Sequence, residues 1–175
     1  RIKKTLPQAK LINFFRNPID RAYSAYNHSI IRGWEHSSFE VAIESEIERI
    51  NLMNDNPELI INNVDSVNYL QFSYLRHGHY ASNLENWFKH FKKNQFMHFS
   101  TEDLDQNYDE IMNSLFVFFN LSKIYLKKED RKNIGVGKGK YPSMNEKTRD
   151  FLIDYYKPHN EKLYNLIGKK FDWDK

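Results

Sequence analysis

The chain has 175 residues, of which 40% are apolar and 15% aromatic, which suits one packed core and excludes a disordered segment. Its formal net charge is +3, with basic clusters at 1–4, 89–93 and 127–140, which fits a small polyanionic ligand better than nucleic acid. There is no cysteine, so disulfides, thiolate chemistry and cysteine zinc sites are excluded, and no run is long and apolar enough to span a membrane.

The opening residues 1–5 read as a helix end closed by Pro7. Residues 10–15, K-L-I-N-F-F, form an apolar run that reads as a buried strand. Arg16 follows, then Asn17 and Pro18, a cap and a first helical residue for a helix over 18–32 that Gly33 ends. The strand therefore delivers its end to a helix N-terminus, where free N–H groups and a partial positive charge favour an anion. Arg16 stands at that junction with a planar fork of donors suited to phosphate. Helical spacing sets Asn17, Asp20 or Arg21, and Ser24 on one face, so Ser24 can share the side from which Arg16 reaches. As a plain strand–helix junction, the same stretch would leave Arg16 on the surface and an Asp20/Arg21 pair facing water.

Residues 38–49 predict an amphipathic helix with Phe39, Ala42, Ile43, Ile47 and Ile50 inward. Glu44, Glu46 and Glu48 read as its solvated face, because carboxylates two apart on a helix do not face one another. Residues 51–68, rich in Asn and Asp, read as an irregular excursion. An aromatic stretch over 69–75 leads to Arg76-His77-Gly78-His79-Tyr80 and a helix over 81–91, with Leu84, Trp87, Phe88 and Phe91 as a buried stripe. His77 and His79 lack a third ligand nearby, which argues against a metal. Tyr80 reads as a core anchor, with His79 or Tyr80 lining an acceptor cleft as the alternative.

A second strand is expected over 95–99, followed by a helix start with capping chemistry at Ser100 and Asp103. Glu102 and Asp103 read as a structural turn. The apolar helix over 108–121 should turn Ile111, Leu115, Phe118 and Phe119 inward and stop at a left-handed Asn120. Residues 127–144 are glycine- and lysine-rich, with Lys138-Gly139-Lys140 as a basic loop able to approach an anion; the spacing is not that of a Walker A loop. The closing helix over 146–168 carries Phe151, Leu152, Tyr155, Tyr156, Leu163 and Ile167 on its apolar side, with Pro158 expected to kink or break it. His159, Asn160 and Trp173 read as structural.

Taken together, these blocks resemble the family of sulfotransferases that use 3′-phosphoadenosine 5′-phosphosulfate (PAPS), closest to the heparan-sulfate-type branch and its bacterial relatives. The resemblance rests on the strand and Arg16-Asn17-Pro18 with Arg21 and Ser24. It continues through Gly78-x-Tyr80 entering a helix with Leu84 and Trp87, the turn after the second strand, Lys138-Gly139-Lys140, and the ending around Tyr156-Lys157-Pro158-His159. It implies an α/β fold, a parallel β-sheet flanked by helices of the P-loop-NTPase-like sulfotransferase kind. It also implies sulfuryl transfer from PAPS to a hydroxyl or amine of a carbohydrate or small-molecule acceptor, with PAP, adenosine 3′,5′-bisphosphate, as product and no metal. Arg16 and Ser24 would hold the 3′-phosphate of the cofactor, and Lys138, Gly139 and Lys140 would close over the nucleotide.

The family's loop for the 5′-phosphosulfate and its usual general base have no counterpart ahead of Lys10. The expectation is therefore one sulfotransferase domain over 1–175 seen without its N-terminal part, with half of the cofactor site and no assignable catalytic base. The absence of cysteine departs from secreted members that carry a disulfide before the basic loop, and points to a cytoplasmic protein. A non-catalytic module that binds nucleotide or an anionic glycan is the competing reading, with Arg16 and 138–140 serving as an anion patch. A P-loop kinase fragment is disfavoured by the missing Walker A loop.

Overall fold

The computed structural model describes residues 1–55, 72–125 and 141–173. A short helix α1 (Ile2–Thr5) leads to strand β1 (Leu11–Phe15), then helices α2 (Pro18–Ile31) and α3 (Phe39–Asp55). A 3-10 turn (Arg76–Gly78) precedes α4 (Tyr80–Phe88), and a second (Lys93–Gln95) precedes strand β2 (Phe96–Ser100). Helices α5 (Thr101–Gln106), α6 (Tyr108–Phe119) and α7 (Glu146–Ile167) complete the order.

The two strands pair in parallel, with Leu11 opposite Phe96 and Phe15 opposite Ser100. Their carboxyl ends therefore lie side by side, and each feeds directly into a helix. Asn17 caps α2 by accepting the Ile19 N–H at 2.9 Å, and Pro18 occupies the first helical position. Ser100 caps α5 and shares a capping box with Asp103. Parallel strands joined through helices, with helices against the sheet, make this an α/β fold.

Two apolar clusters hold the molecule. Ile19, Ala22, Phe39, Ile43, Leu75, Leu152 and Tyr156 form one, between α2, α3 and α7. Phe15, Leu84, Phe96, Leu163, Phe171 and Trp173 form the other, against the sheet. Helix α7 serves both clusters, its first half in one and its second half in the other. Each fully buried large apolar side chain contributes roughly 1.5–3 kcal/mol.

Several expectations are corrected. Helix α3 runs six residues past Arg49, to Asp55; beyond that, the excursion over 51–68 lies outside the described residues. Glu44 and Glu48 are exposed as expected, but Glu46 is only 2% exposed. It falls on the same stripe as Phe39, Ala42, Ile43 and Ile50, and its carboxylate is needed by main-chain N–H groups of the facing turn. Helix α4 ends at Phe88, and Trp87 is 40% exposed because the helix stops before a neighbour covers that face. Phe151 is 47% exposed on the outer side of α7, while Leu152 beside it is buried.

Strand β2 starts at Phe96, since Gln95 uses its side chain on the carbonyls of Pro7 and Ala9 and closes a 3-10 turn. Helix α7 continues through Pro158 without a break. Proline removes one main-chain donor and crowds the preceding turn, but packing of Tyr156, Asn160 and Leu163 on either side keeps the helix whole. Asn120 is left-handed, at φ 56°, and ends α6 as expected.

Candidate functional site

The site begins at the carboxyl end of β1. Arg16 is exposed, one residue before the cap of α2, and among the described residues its guanidinium has no hydrogen bond or ion pair. Its main chain is fixed instead: the Tyr80 hydroxyl donates to the Arg16 carbonyl at 2.9 Å. Ser24 lies two turns into α2, half-buried, and its hydroxyl likewise bonds to no described residue. Arg16 and Ser24 are thus on one continuous stretch, both with free polar groups, and no direct bond joins them.

Asn17 organises the junction. Its side chain caps α2, its N–H donates to Oε1 of Glu102 at 3.2 Å, and its Nδ2 reaches the Trp173 carbonyl at 3.5 Å. Glu102 follows the end of β2, so this one bond ties together the carboxyl ends of both strands. The structural reading of Glu102 holds. Asp103 is also structural: it shares the Ser100 box and pairs with Lys169 at 2.8 Å. Its carboxyl is held below the usual range: the Lys169 contact and the Ser100 hydrogen bonds outweigh burial, the largest single influence, which pushes the other way.

The helix N-terminus offers less to an anion than expected from sequence. Pro18 has no N–H, Ile19 is capped by Asn17, and the Arg21 N–H bonds to the Asn17 carbonyl at 2.9 Å. Asp20 retains the one first-turn main-chain donor without a partner among the described residues. Among the described residues, that leaves the side chains of Arg16 and Ser24 as the main groups on this stretch that an anion could meet. The water-facing Asp20/Arg21 pair is also corrected. Asp20 pairs with Arg149 at 2.9 Å, and Arg21 turns inward to donate to the Tyr74 carbonyl.

Behind the junction stands a ring cluster. Gly78 presses on α2 and α7 so closely that a Cβ there would come within 2.9 Å of the Pro18 Cβ and 2.8 Å of the Tyr156 ring. His79 stacks on His159 with centroids 3.7 Å apart and reaches the Tyr155 hydroxyl at 3.0 Å through Nε2. Burial, with the nearby charge of His159, Arg76 and Arg21, pulls the His79 pKa down to about 4. His79 is therefore neutral near pH 7 and packed as part of the structure. Burial pushes the Tyr80 hydroxyl up, so it stays a donor to Arg16. Tyr80 packs between Phe15 and Trp173, as the core-anchor expectation has it, and in addition holds the junction through its hydroxyl.

Lys138, Gly139 and Lys140 lie outside the described residues. The chain resumes at Tyr141, whose ring meets Tyr23 edge-on at 5.8 Å, and the Tyr23 hydroxyl donates to the Pro142 carbonyl at 2.9 Å. Tyr141 and Pro142 are thus pinned to α2 at Tyr23, the residue before Ser24. A cleft of about 600 Å³ lies here, lined by Tyr23, Tyr26, Phe39 and Tyr141 among others. A larger open groove of about 970 Å³ runs along α7 and contains none of the junction residues.

Sequence reasoning missed two residues that build this site, Glu46 and Arg21 as an inward anchor; it set Tyr156 on the apolar side of α7, where it is buried, without its bond to the Leu75 carbonyl. Glu46 carried a usable signal, because its position in the heptad-like spacing of α3 is on the apolar stripe. The bonds of Arg21 and Tyr156 carried none, since their partners are main-chain atoms far away in the chain.

Comparison with known proteins gives consistent results. Residues 2–134 match the family model described as Sulfotransferase domain. The chain is 29% identical over 188 residues to the bifunctional heparan sulfate N-deacetylase/N-sulfotransferase 1 of Xenopus laevis, covering 97% of this chain and 20% of that protein. It is 27% identical over 194 residues to the heparan sulfate glucosamine 3-O-sulfotransferase 3B1 of Mus musculus, covering 99% of this chain and 46% of that protein. The crystal structure of a sulfotransferase from Alicyclobacillus acidocaldarius superposes with a TM-score of 0.73 at 21% identity, over 99% of this chain and 61% of that one. The chain therefore spans about a fifth to a half of the length of these curated relatives.

Proposed function

The chain belongs to the sulfotransferase domain family, and on that premise we propose that the protein transfers a sulfuryl group from PAPS to an acceptor hydroxyl or amine, with this chain holding the 3′-phosphate end of the donor. The observation that carries the reading is the exposed Arg16 guanidinium at the carboxyl end of β1, without a partner among the described residues and on a main chain fixed by Tyr80. In α/β sheets this end of a strand is where ligands bind.

The residues present fit such a donor. Among the described residues, nothing occupies the side-chain donors of Arg16, which suit a bidentate phosphate contact, or the Ser24 hydroxyl on the same stretch. PAPS, when bound, supplies the sulfuryl group and leaves as PAP. Arg16 and Ser24 orient the nucleotide by its 3′-phosphate, far from the reacting bond, so their contribution is positioning and binding. Lys138, Gly139 and Lys140 are assigned to the same nucleotide by resemblance, and the pinning of Tyr141 and Pro142 to α2 supports that assignment. The relatives named for heparan sulfate favour a carbohydrate acceptor.

Calorimetric titration of PAP into the full-length protein tests the reading, beside Arg16→Ala. Saturable binding that Arg16→Ala weakens by about a hundredfold is expected, the scale of losing a charged bidentate contact. Wild-type protein that neither binds PAP nor transfers sulfate from PAPS would overturn it. PAP binding without transfer to any glycan or alcohol acceptor would favour the non-catalytic module instead.

A further inference from the structure

The turn over 72–76 has its main chain held by side chains from three helices. Glu46 of α3 accepts the Leu75 N–H at 2.7 Å and the Arg76 N–H at 2.9 Å. Arg49, three residues on, donates to the Phe72 carbonyl at 2.9 Å. Arg21 of α2 donates to the Tyr74 carbonyl, and Tyr156 of α7 donates to the Leu75 carbonyl at 2.8 Å. A turn satisfied in this way has one position, set by the helices around it.

The turn leads straight to the candidate site. Two residues after Arg76, Gly78 is wedged against Pro18, the first residue of α2. Two residues further, the Tyr80 hydroxyl holds the Arg16 carbonyl. We propose that Glu46 is a positioning residue for Arg16: by fixing the N–H groups of Leu75 and Arg76 it sets Gly78 and Tyr80, and so the main chain from which Arg16 reaches a phosphate. The inference rests on the reading of Arg16 as the 3′-phosphate ligand.

A role in stability alone does not account for this carboxylate. Burial pushes its pKa up, against the pull of the main-chain N–H groups of Arg76, Leu75 and Tyr74 and the charge of Arg49. Its ionised form is therefore a cost to folding near neutral pH, as buried charges commonly are. A short apolar stripe with a hydroxyl would close the same gap between α3 and the turn. A carboxylate differs in accepting two adjacent N–H groups at once, which fixes the direction of the turn as well as its distance.

The test compares two nucleotides that differ only in the 3′-phosphate, PAP and adenosine 5′-monophosphate, by calorimetry on the full-length protein. Glu46→Gln keeps the shape of the side chain but can accept only one of the N–H groups well. Its expected effect is a loss of about tenfold in PAP affinity, the worth of one distorted charge-assisted contact, with adenosine 5′-monophosphate bound as in wild type. In an Arg16→Ala background, Glu46→Gln should then cost PAP nothing more. Tyr156→Phe removes the hydrogen bond to Leu75 from the opposite side and should act in the same direction, which decides the matter if Glu46→Gln does not fold. Unchanged preference for PAP in the folded variants overturns the inference and leaves the function standing. An equal loss for both nucleotides also overturns it, by showing a general structural role. Wild-type protein with no preference for PAP would remove the reading of Arg16, and this inference with it.

Discussion

The hydroxyl of Tyr80 donates to the carbonyl of Arg16 at 2.9 Å across 64 positions of sequence. The bond joins the start of α4 to the last residue before the cap of α2. It leaves the Arg16 side chain untouched and removes freedom from its main chain, which is what a ligand-binding arginine on a loop lacks most.

Tyr80→Phe removes that bond and little else, since the ring keeps its place beside Phe15 and Trp173. The expected loss of stability is about 1 kcal/mol. PAP affinity should fall several-fold, and adenosine 5′-monophosphate affinity should hold. Parallel urea melts and titrations separate the two effects, and a variant with wild-type PAP binding would show that the bond serves packing alone.

Gly78→Ala should destabilise through crowding. The backbone there is not left-handed, so the cost comes from space: the new methyl would meet Pro18 and Tyr156 inside 3.0 Å. Overpacking of this kind costs about 1–3 kcal/mol. A fall in melting temperature of several degrees is expected, and an unchanged melt would mean that the Tyr156 ring moves aside freely.

Glu46→Ala leaves the N–H groups of Leu75 and Arg76 without that acceptor and removes the negative charge that interacts with Arg49. The sum is about 2–4 kcal/mol of lost stability, by the cost of buried unsatisfied donors. Glu46→Gln should lose less than half of that. Chemical denaturation of both variants checks the ordering, and equal losses would point to packing rather than hydrogen bonding.

The buried histidines give stability a pH dependence. Burial first, then neighbouring positive charge, pulls both His79 and His98 down to about 4. The folded chain keeps them neutral while the unfolded chain protonates them near pH 6.5. Their contribution is therefore complete above about pH 6.5 and is lost as pH falls from there towards about 4. Melting temperature should drop through that window, and His79→Gln should flatten part of the drop. Glu46, raised by burial, acts the opposite way in that window, and the lowered carboxyls of Glu35, Glu40 and Asp103 add their own loss from its acid end downward. A His79→Gln melt with the same pH dependence as wild type between pH 6.5 and 4.5 would rule out the buried neutral ring.

Local chemistry made much of the junction legible. The apolar run of β1, the Asn17 cap and Pro18 are decided by residues within a few positions of one another, and the structure keeps each within a residue. The Ser100–Asp103 box and the left-handed Asn120 are of the same kind. The supposed fate of Trp87 and Phe151 was not legible, because periodicity marks an apolar face but does not say whether anything packs on it. The inward turn of Arg21 was hidden for a related reason: its partner is a carbonyl 53 residues away, and a carbonyl has no letter in a sequence.

The sequence by itself determined the strands, the capped helices that follow them, and the presence of an arginine and a serine where a phosphate could be met. These depend on backbone propensity, capping and short-range periodicity, which act between neighbours. Only the tertiary structure decided the register in which β1 and β2 pair, that Glu102 ties the two strand ends together while Tyr80 holds the end of β1 to α4, and that Glu46 is buried rather than solvated. Those facts rest on side chains meeting main-chain N–H and carbonyl groups from distant segments. Every residue carries such groups, so their pairing is set by where the folded chain brings them and not by the order of its residues.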